Sequence, residues 1–272
     1  SRLDGMARAA QDIIGGDLSR RMPRSGSDDE FDRLSDALNA MLDRIDRLMS
    51  AMKSVADDVA HDMRGPLTRM RARMEMTLMS DGDDPERLRA AAVDTIVEAD
   101  RMLAAFNAML SITQLESGSR RLERAPVDLA DVARDVAELY EPVLEEAGQT
   151  LSLDIAEDAA AAGDRVLLGQ AAANLIDNAS KYAGRGATVR AIARPGLLAV
   201  EDDGPGVPAE DRERVLQRHV RLDDSRSQPG GGLGLALVAA IARVHGATLD
   251  LGEGAGGRGL RVALRFRQGA AA

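Results

Sequence analysis

Between Phe31 and Val59 the chain repeats apolar residues at alternating steps of three and four: Phe31, Leu34, Leu38, Met41, Ile45, Leu48, Met52, Val55 and Val59. A seven-residue repeat of this kind holds its apolar side chains on one narrow stripe of a slightly under-wound helix. An amphipathic helix in an ordinary globular core carries a wider and less regular stripe. Strict alternation over roughly four heptads is the signature of a coiled-coil seam, and it favours self-association.

Before this repeat comes a shorter one, Leu3, Met6, Ala10 and Ile13, which stops at Gly15 and Gly16. A polar connector containing Pro23 and Gly26 links the two. A short helix, a connector and a long heptad helix together resemble a HAMP signal-relay module, here without the start of its first helix. The heptad helix is expected to run on to about Ser80. The run Asp81 to Pro85 then breaks it. A second helix follows with Ala92, Ile96, Ala99, Leu103, Phe106 and Leu110 in the same alternation. One hairpin cannot bury a seam on both of its helices, so a dimer forming a four-helix bundle is the economical solution.

Past Gly118 the pattern changes to helices alternating with β-rich runs at 150–155, 187–193, 197–202, 247–251 and 259–266. This reads as a separate α/β domain. Aromatics make up 2% of the chain and Trp is absent, so the core is built from Leu, Ile, Val, Ala and Met, a composition that suits helix-rich packing. A net charge of -10 argues against general nucleic-acid binding, which relies on basic surface. With no cysteine there is no disulfide framework and no cysteine metal site. No apolar run reaches the roughly 20 residues needed to cross a bilayer. The first residue is Ser1 rather than Met, so the chain reads as an excised fragment.

His61 lies well away from the stripe of Val55, Val59, Pro66 and Met70, and is expected to face solvent. An exposed histidine alone needs no role. Its neighbours are less ordinary: Asp62 and Arg64, then Pro66 inside the helix, where proline costs about 3 kcal/mol. The run 58–75, DVAHDMRGPLTRMRARME, resembles the H-box of sensor histidine kinases. The resemblance implies that His61 is the phosphoacceptor and Asp62 its assisting base. A neutral imidazole has one nitrogen lone pair to attack with, while a carboxylate orients the proton on the other nitrogen. Four residues on, the family usually has Thr or Asn, which positions water for dephosphorylating the partner. Gly65 stands there with no side chain, and Thr68 is a turn further away. Phosphatase activity is thereby put in doubt, and kinase activity is untouched.

Residues 174–182, NLIDNASKY, place Asn174, Asn178 and Lys181 at i, i+4 and i+7, beside an apolar stripe of Leu168, Ala172, Leu175 and Ala179. The spelling resembles the N-box of the Bergerat-type ATP-binding fold shared by histidine kinases, gyrase, Hsp90 and MutL. It implies that Asn178 holds Mg²⁺ by its carbonyl oxygen, that Asn174 and Lys181 face the phosphates, and that Tyr182 packs near the nucleotide. Residues 200–208, VEDDGPGVP, fit the family's G1 box with Asp202, Gly204 and Gly206. By resemblance Asp202 accepts a hydrogen bond from the adenine amino group. Gly230, Gly232 and Gly234 open a helix, a natural phosphate cradle. A Rossmann loop would need a strand just before them, and 218–228 is polar and loop-like. The resemblance is to the G2 box, with 207–229 as the ATP lid and Arg221 a phosphate contact. Leu216 and His219 replace the family's F-box phenylalanines.

The four motifs stand in family order over 58–246. The expectation is a homodimeric, ATP- and Mg²⁺-dependent protein-histidine kinase that passes its phosphoryl group to a response regulator. Its modules are a signal relay (1–50), a dimerising, His-bearing helical hairpin (51–118) and an ATP-binding α/β sandwich (119–272). By family resemblance it is the cytoplasmic portion of an inner-membrane sensor. An ATPase clamp would share Asn178, Asp202 and the glycines but have no use for an H-box. A nucleotide-binding scaffold would be favoured by loss of Asn178 or the G2 glycines, and both are kept.

Overall fold

The computed structural model describes residues 2–79 except 16, 18 and 28, and residues 84–267 except 119, 121, 219, 221 and 223–231. Within its helices the side chains of 2, 3, 47, 48 and 50–62 are outside the description. The chain forms two compact units, Ser1–Gly65 and Pro66–Ala272, whose boundary falls inside one helix.

In the first unit, α1 (Arg2–Ile14) is followed by the connector and by the start of α2 (Glu30–Met79). Asp29 caps α2, its Oδ1 accepting from the backbone N–H of Phe31 and Asp32. One face of α2 grips the connector through polar groups. The Met22 N–H donates to Asn39 Oδ1 at 2.7 Å, and Asn39 Nδ2 returns a bond to the Met22 carbonyl at 3.1 Å. Ser35 donates to the Pro23 carbonyl, and buried Asp32 accepts from the Ser25 N–H. These bonds supply partners for connector backbone that no secondary structure satisfies. The heptad residues Phe31, Leu34 and Met41 lie on another face and are exposed in the single chain.

In the second unit, α2 continues through Pro66 to Met79. α3 (Pro85–Glu116) opens with Asp84 as N-cap and Pro85 at its first position, the arrangement that suits a helix start. Ion pairs Arg69–Glu98 and Arg73–Asp94 pair the two helices antiparallel. The buried residues of α3 are Ala91, Met109, Ile112 and Leu115. The heptad positions Ile96 and Leu103 are instead 60% and 59% exposed, so the predicted seam faces outward from the hairpin.

The α/β part begins with β1 (Ala125–Asp128) and α4 (Leu129–Glu146), followed by β2 (Thr150–Ile155), β3 (Ala160–Gly163), α5 (Arg165–Tyr182), β4 (Thr188–Arg194) and β5 (Leu197–Asp202). Two 3-10 turns lead to α6 (Gly234–His245), β6 (Thr248–Gly252) and β7 (Arg261–Arg265). β1 and β3 make a small antiparallel pair, while the main sheet has the order β2-β4-β5-β7-β6. Among the described strands only β2 and β4 run parallel, and α5 lies in the crossover that a parallel pair requires. Asp128 and Asp164 cap α4 and α5, each accepting two backbone N–H bonds.

Strand alternation sorts the sheet into two faces. Val189, Ala191 and Ala193 align with Asp202, Val200 and Leu198, and these with Val262 and Leu264. This row packs with Leu168, Ile176, Leu237 and Ile241 of α5 and α6 into the core. The opposite face centres on Ile192, Ala199 and Ala263. Around them lies a ladder of ion pairs: Arg194–Asp154, Arg190–Glu201 and Arg265–Asp250. Arginine stems cover the small residues there while their heads stay hydrated.

Candidate nucleotide site

The end of β5 puts Asp202 on the helix-covered face and Glu201 on the other. Asp202 is buried, and its Oδ1 accepts the N–H of Gly204 at 3.0 Å and of Leu260 at 3.3 Å. Burial pushes its carboxyl above the usual range, against the pull of those two bonds, and the charges of Asp203 and Glu201 push the same way.

The turn after Asp202 is packed backbone to backbone. A Cβ on Gly204 would come within 2.5 Å of the Ala183 Cα, at the end of α5. Gly206 has φ 75°, and a Cβ there would stand 2.5 Å from the Gly259 carbonyl oxygen. Gly259, also at positive φ, leaves no room for a side chain beside the Asp202 carbonyl. Gly259 was not singled out from the sequence, where it opens the β-rich run 259–266. A cavity of about 480 Å³ is lined by Gly204, Gly206, Val207, Arg212, Glu253 and Arg258 among others. It opens beside the glycine turn, and neither Asp202 nor α5 is among its described lining residues.

α5 brings the motifs together. Asn174, Asn178, Lys181 and Tyr182 are all half-buried on it. Asn174 Nδ2 donates to the Gln170 carbonyl, one turn back. A Cβ on Gly234, the first residue of α6, would stand 3.3 Å from Asn174 Oδ1. One helix therefore touches the glycine turn through Ala183 and the glycine-led start of α6 through Asn174. Lys181 Nζ donates to Asp177 Oδ2 at 2.5 Å, a partner the sequence reading did not assign. The C-terminal end of α5 is held by Gln149, whose Nε2 donates to the carbonyls of Ser180 and Gly184. Its N-terminal end is tied to α6: His245 Nε2 accepts the Asp164 N–H at 3.0 Å.

Gly232 lies two residues before α6. Arg221, Gly230, His219 and residues 223–229 of the lid fall outside the described residues. His61 and Asp62 lie on α2, with their side chains outside the description. Among the described residues no cluster of metal-ligating His, Cys, Asp or Glu occurs. Asn178 and substrate oxygens would be the donors for a hard cation such as Mg²⁺, which needs few protein ligands.

Three family models match in order along the chain. The HAMP domain matches residues 1–47, the His Kinase A (phospho-acceptor) domain 51–118, and the histidine kinase-, DNA gyrase B- and HSP90-like ATPase 163–270. The sensor protein CutS of Streptomyces coelicolor is 33% identical over 97% of this chain and 65% of its own length. The probable sensor histidine kinase TcrY of Mycobacterium tuberculosis is 34% identical over 86% of this chain and 51% of its own. Among solved structures, histidine kinase ThkA in complex with response regulator TrrA aligns with TM-score 0.64 at 22% identity, over 82% of this chain and 63% of that one. Full-length ShkA in complex with AMPPNP aligns with TM-score 0.56 at 25% identity, over 79% of this chain and 45% of that one. The chain belongs to the sensor histidine kinases of two-component systems. It spans 65% of the length of CutS and about half that of TcrY. Among the described residues no helix is long and apolar enough to cross a membrane.

Proposed function

We propose that the chain is an ATP-dependent protein-histidine kinase. Its own His61 takes the γ-phosphoryl group of ATP and then yields it to an aspartate of a response regulator. The observation that carries this reading is the meeting of three motifs, far apart in sequence, along α5: Gly204 against Ala183, Gly234 against Asn174, and Asn178 and Lys181 between them. In this reading the adenine amino group donates to Asp202, whose two backbone donors both fall on Oδ1 and leave Oδ2 for the ligand. Asn174, Lys181, Arg221 and the glycines 230, 232 and 234 attend the phosphates, and Tyr182 packs near the nucleotide. Asn178 holds Mg²⁺, which when bound neutralises phosphate charge. A nitrogen of His61 forms the new bond to phosphorus as the bond to the β–γ bridging oxygen breaks, and Asp62 takes up the proton of the other ring nitrogen. The protein contributes mainly position and electrostatics.

The modules take the bounds 1–50, 51–118 and 119–272. The outward-facing seams of α2 and α3 pair two chains through the coiled coil and the hairpin. Gly65 makes this a kinase with little phosphatase activity. The matching HAMP segment and the longer sensor-protein relatives support reading the chain as the cytoplasmic portion of an inner-membrane sensor.

Incubation of the wild-type chain and His61→Ala with γ-labelled ATP and Mg²⁺ tests the reading. Acid-labile, alkali-stable label on the wild type alone is expected. No label on either protein despite nucleotide binding would leave a scaffold, and steady phosphate release without label would make it an ATPase clamp.

A further inference from the structure

Asp177 lies on the face of α5 that carries the proposed phosphate-binding groups. At 100° per residue, Asp177, Lys181, Asn174 and Asn178 share an arc of about 100°. An acidic side chain beside a polyphosphate site repels the ligand unless a cation covers it. Here the cover is Lys181, whose Nζ is 2.5 Å from Asp177 Oδ2. The two side chains are 35% and 40% exposed, so the pair is neither fully screened nor sealed in the core. The charge of Asp177 also reaches α4, where the Tyr140 hydroxyl is pushed up by its own burial and then by Asp177. The lysine meant for the phosphates thus has a carboxylate partner already.

We infer that Asp177 sets the site's affinity for nucleotide by competing with the phosphates for Lys181. The inference rests on the nucleotide site proposed above. An Asp followed four residues later by Lys is also a common helix-surface pair, which supports a helix by a few tenths of a kcal/mol. That role alone predicts a change in stability and none in ligand preference. Competition predicts that removing the carboxylate charge frees Lys181, and that only ligands bearing phosphates respond.

The test is calorimetric titration of the whole chain, wild type and variant, with a non-hydrolysable ATP analogue and with adenosine. Asp177→Asn is close to isosteric, and Asp177→Ser serves if it folds poorly. Binding of the analogue is expected to tighten roughly two- to fivefold, the worth of an ion pair of this exposure. Adenosine binding is expected to stay unchanged, and the gain to vanish when Lys181→Met is already present. Unchanged or weaker analogue binding in Asp177→Asn would overturn the inference, and weakening seen only with Mg²⁺ would make Asp177 a cation ligand. A gain that survives Lys181→Met, or that extends to adenosine, would overturn it as well. A wild-type chain that binds neither ligand would sink the nucleotide-site reading itself, an outcome distinct from all of these.

Discussion

The helical hairpin and the α/β part spend similar residues in opposite ways. In the α/β part, Leu168, Leu198, Ile241 and Leu264 are all but fully buried within the single chain. In α3, Ile96, Leu103 and Phe106 are as apolar and stay exposed, while α3's buried residues near its end, Met109, Ile112 and Leu115, lie where the helix packs on α6. A sheet with helices on one face closes its own core. A helix carrying a heptad seam exposes it until another helix arrives. The two parts therefore differ in what completes them, and that difference can be tested from either side.

The largest effect is expected from Leu103→Asp. A charge left unpaired in an apolar seam costs on the order of 3 kcal/mol or more, so the dimer should weaken by at least about 100-fold. Sedimentation should show a monomer that still binds the ATP analogue, since the α/β core does not use Leu103. A variant that stays dimeric would place the self-association seam elsewhere. One that loses nucleotide binding as well would mean the two parts are not separately completed.

A smaller effect sharpens the comparison from the α/β side. His245 is buried where α6 ends, its Nε2 bonded to the Asp164 N–H and its Nδ1 2.8 Å from the Ile241 carbonyl. Burial lowers its pKa below the ordinary 6.5. The Ile241 bond and the charge of Asp164 oppose that lowering, and Arg124 adds to it. With the folded pKa depressed, the unfolded chain takes up a proton first as pH falls. Stability is intact above about 6.5 and is lost from there down to the folded value, at about 1.4 kcal/mol for each pH unit crossed. In His245→Gln, whose side-chain oxygen can still accept from Asp164, this share of the acid sensitivity should disappear. Urea unfolding of the α/β part at pH 8 and pH 5.5 measures it, and equal acid sensitivity in both proteins would assign the loss to other groups. The hairpin seam, apolar throughout, has no counterpart to this dependence.

The same contrast governs how much could be read from the sequence. Heptads, the Asp81–Pro85 break and the strands 150–155 and 197–202 are local patterns, and the strands were found with those bounds. β1 and β3 were not, because Ala-Pro-Val-Asp and Ala-Ala-Ala-Gly are poor strand formers whose pairing is set by each other and by α4. Nothing local in the sequence says that the connector folds back over Asp32, Ser35 and Asn39. Asp177 and Lys181 were spelled out four residues apart, yet only the folded helix shows that the lysine is already engaged. Asn174, Asn178 and Asp202 were singled out only by family resemblance. The close approach of Gly259 to Asp202 joins residues far apart in sequence and became visible only with the sheet in place.

The smallest expected effect lies at the joint between the two parts. Glu116 ends α3, where a carboxylate faces the negative end of the helix dipole. It is matched there by Arg218, and by Arg243 at 3.4 Å in the last turn of α6. Glu116 and Arg243 are 40% and 68% exposed, so water and salt take most of the Coulomb gain. Glu116→Gln also relieves the dipole conflict, which offsets part of what the arginines lose. The net change should be below about 1 kcal/mol at low salt and should fade as salt shortens the screening length toward a few ångströms. Unfolding at low salt and near 1 M salt distinguishes the cases. A loss above about 2 kcal/mol that salt does not touch would mean that this ion pair, and not the burial of Met109, Ile112 and Leu115, holds α3 to α6.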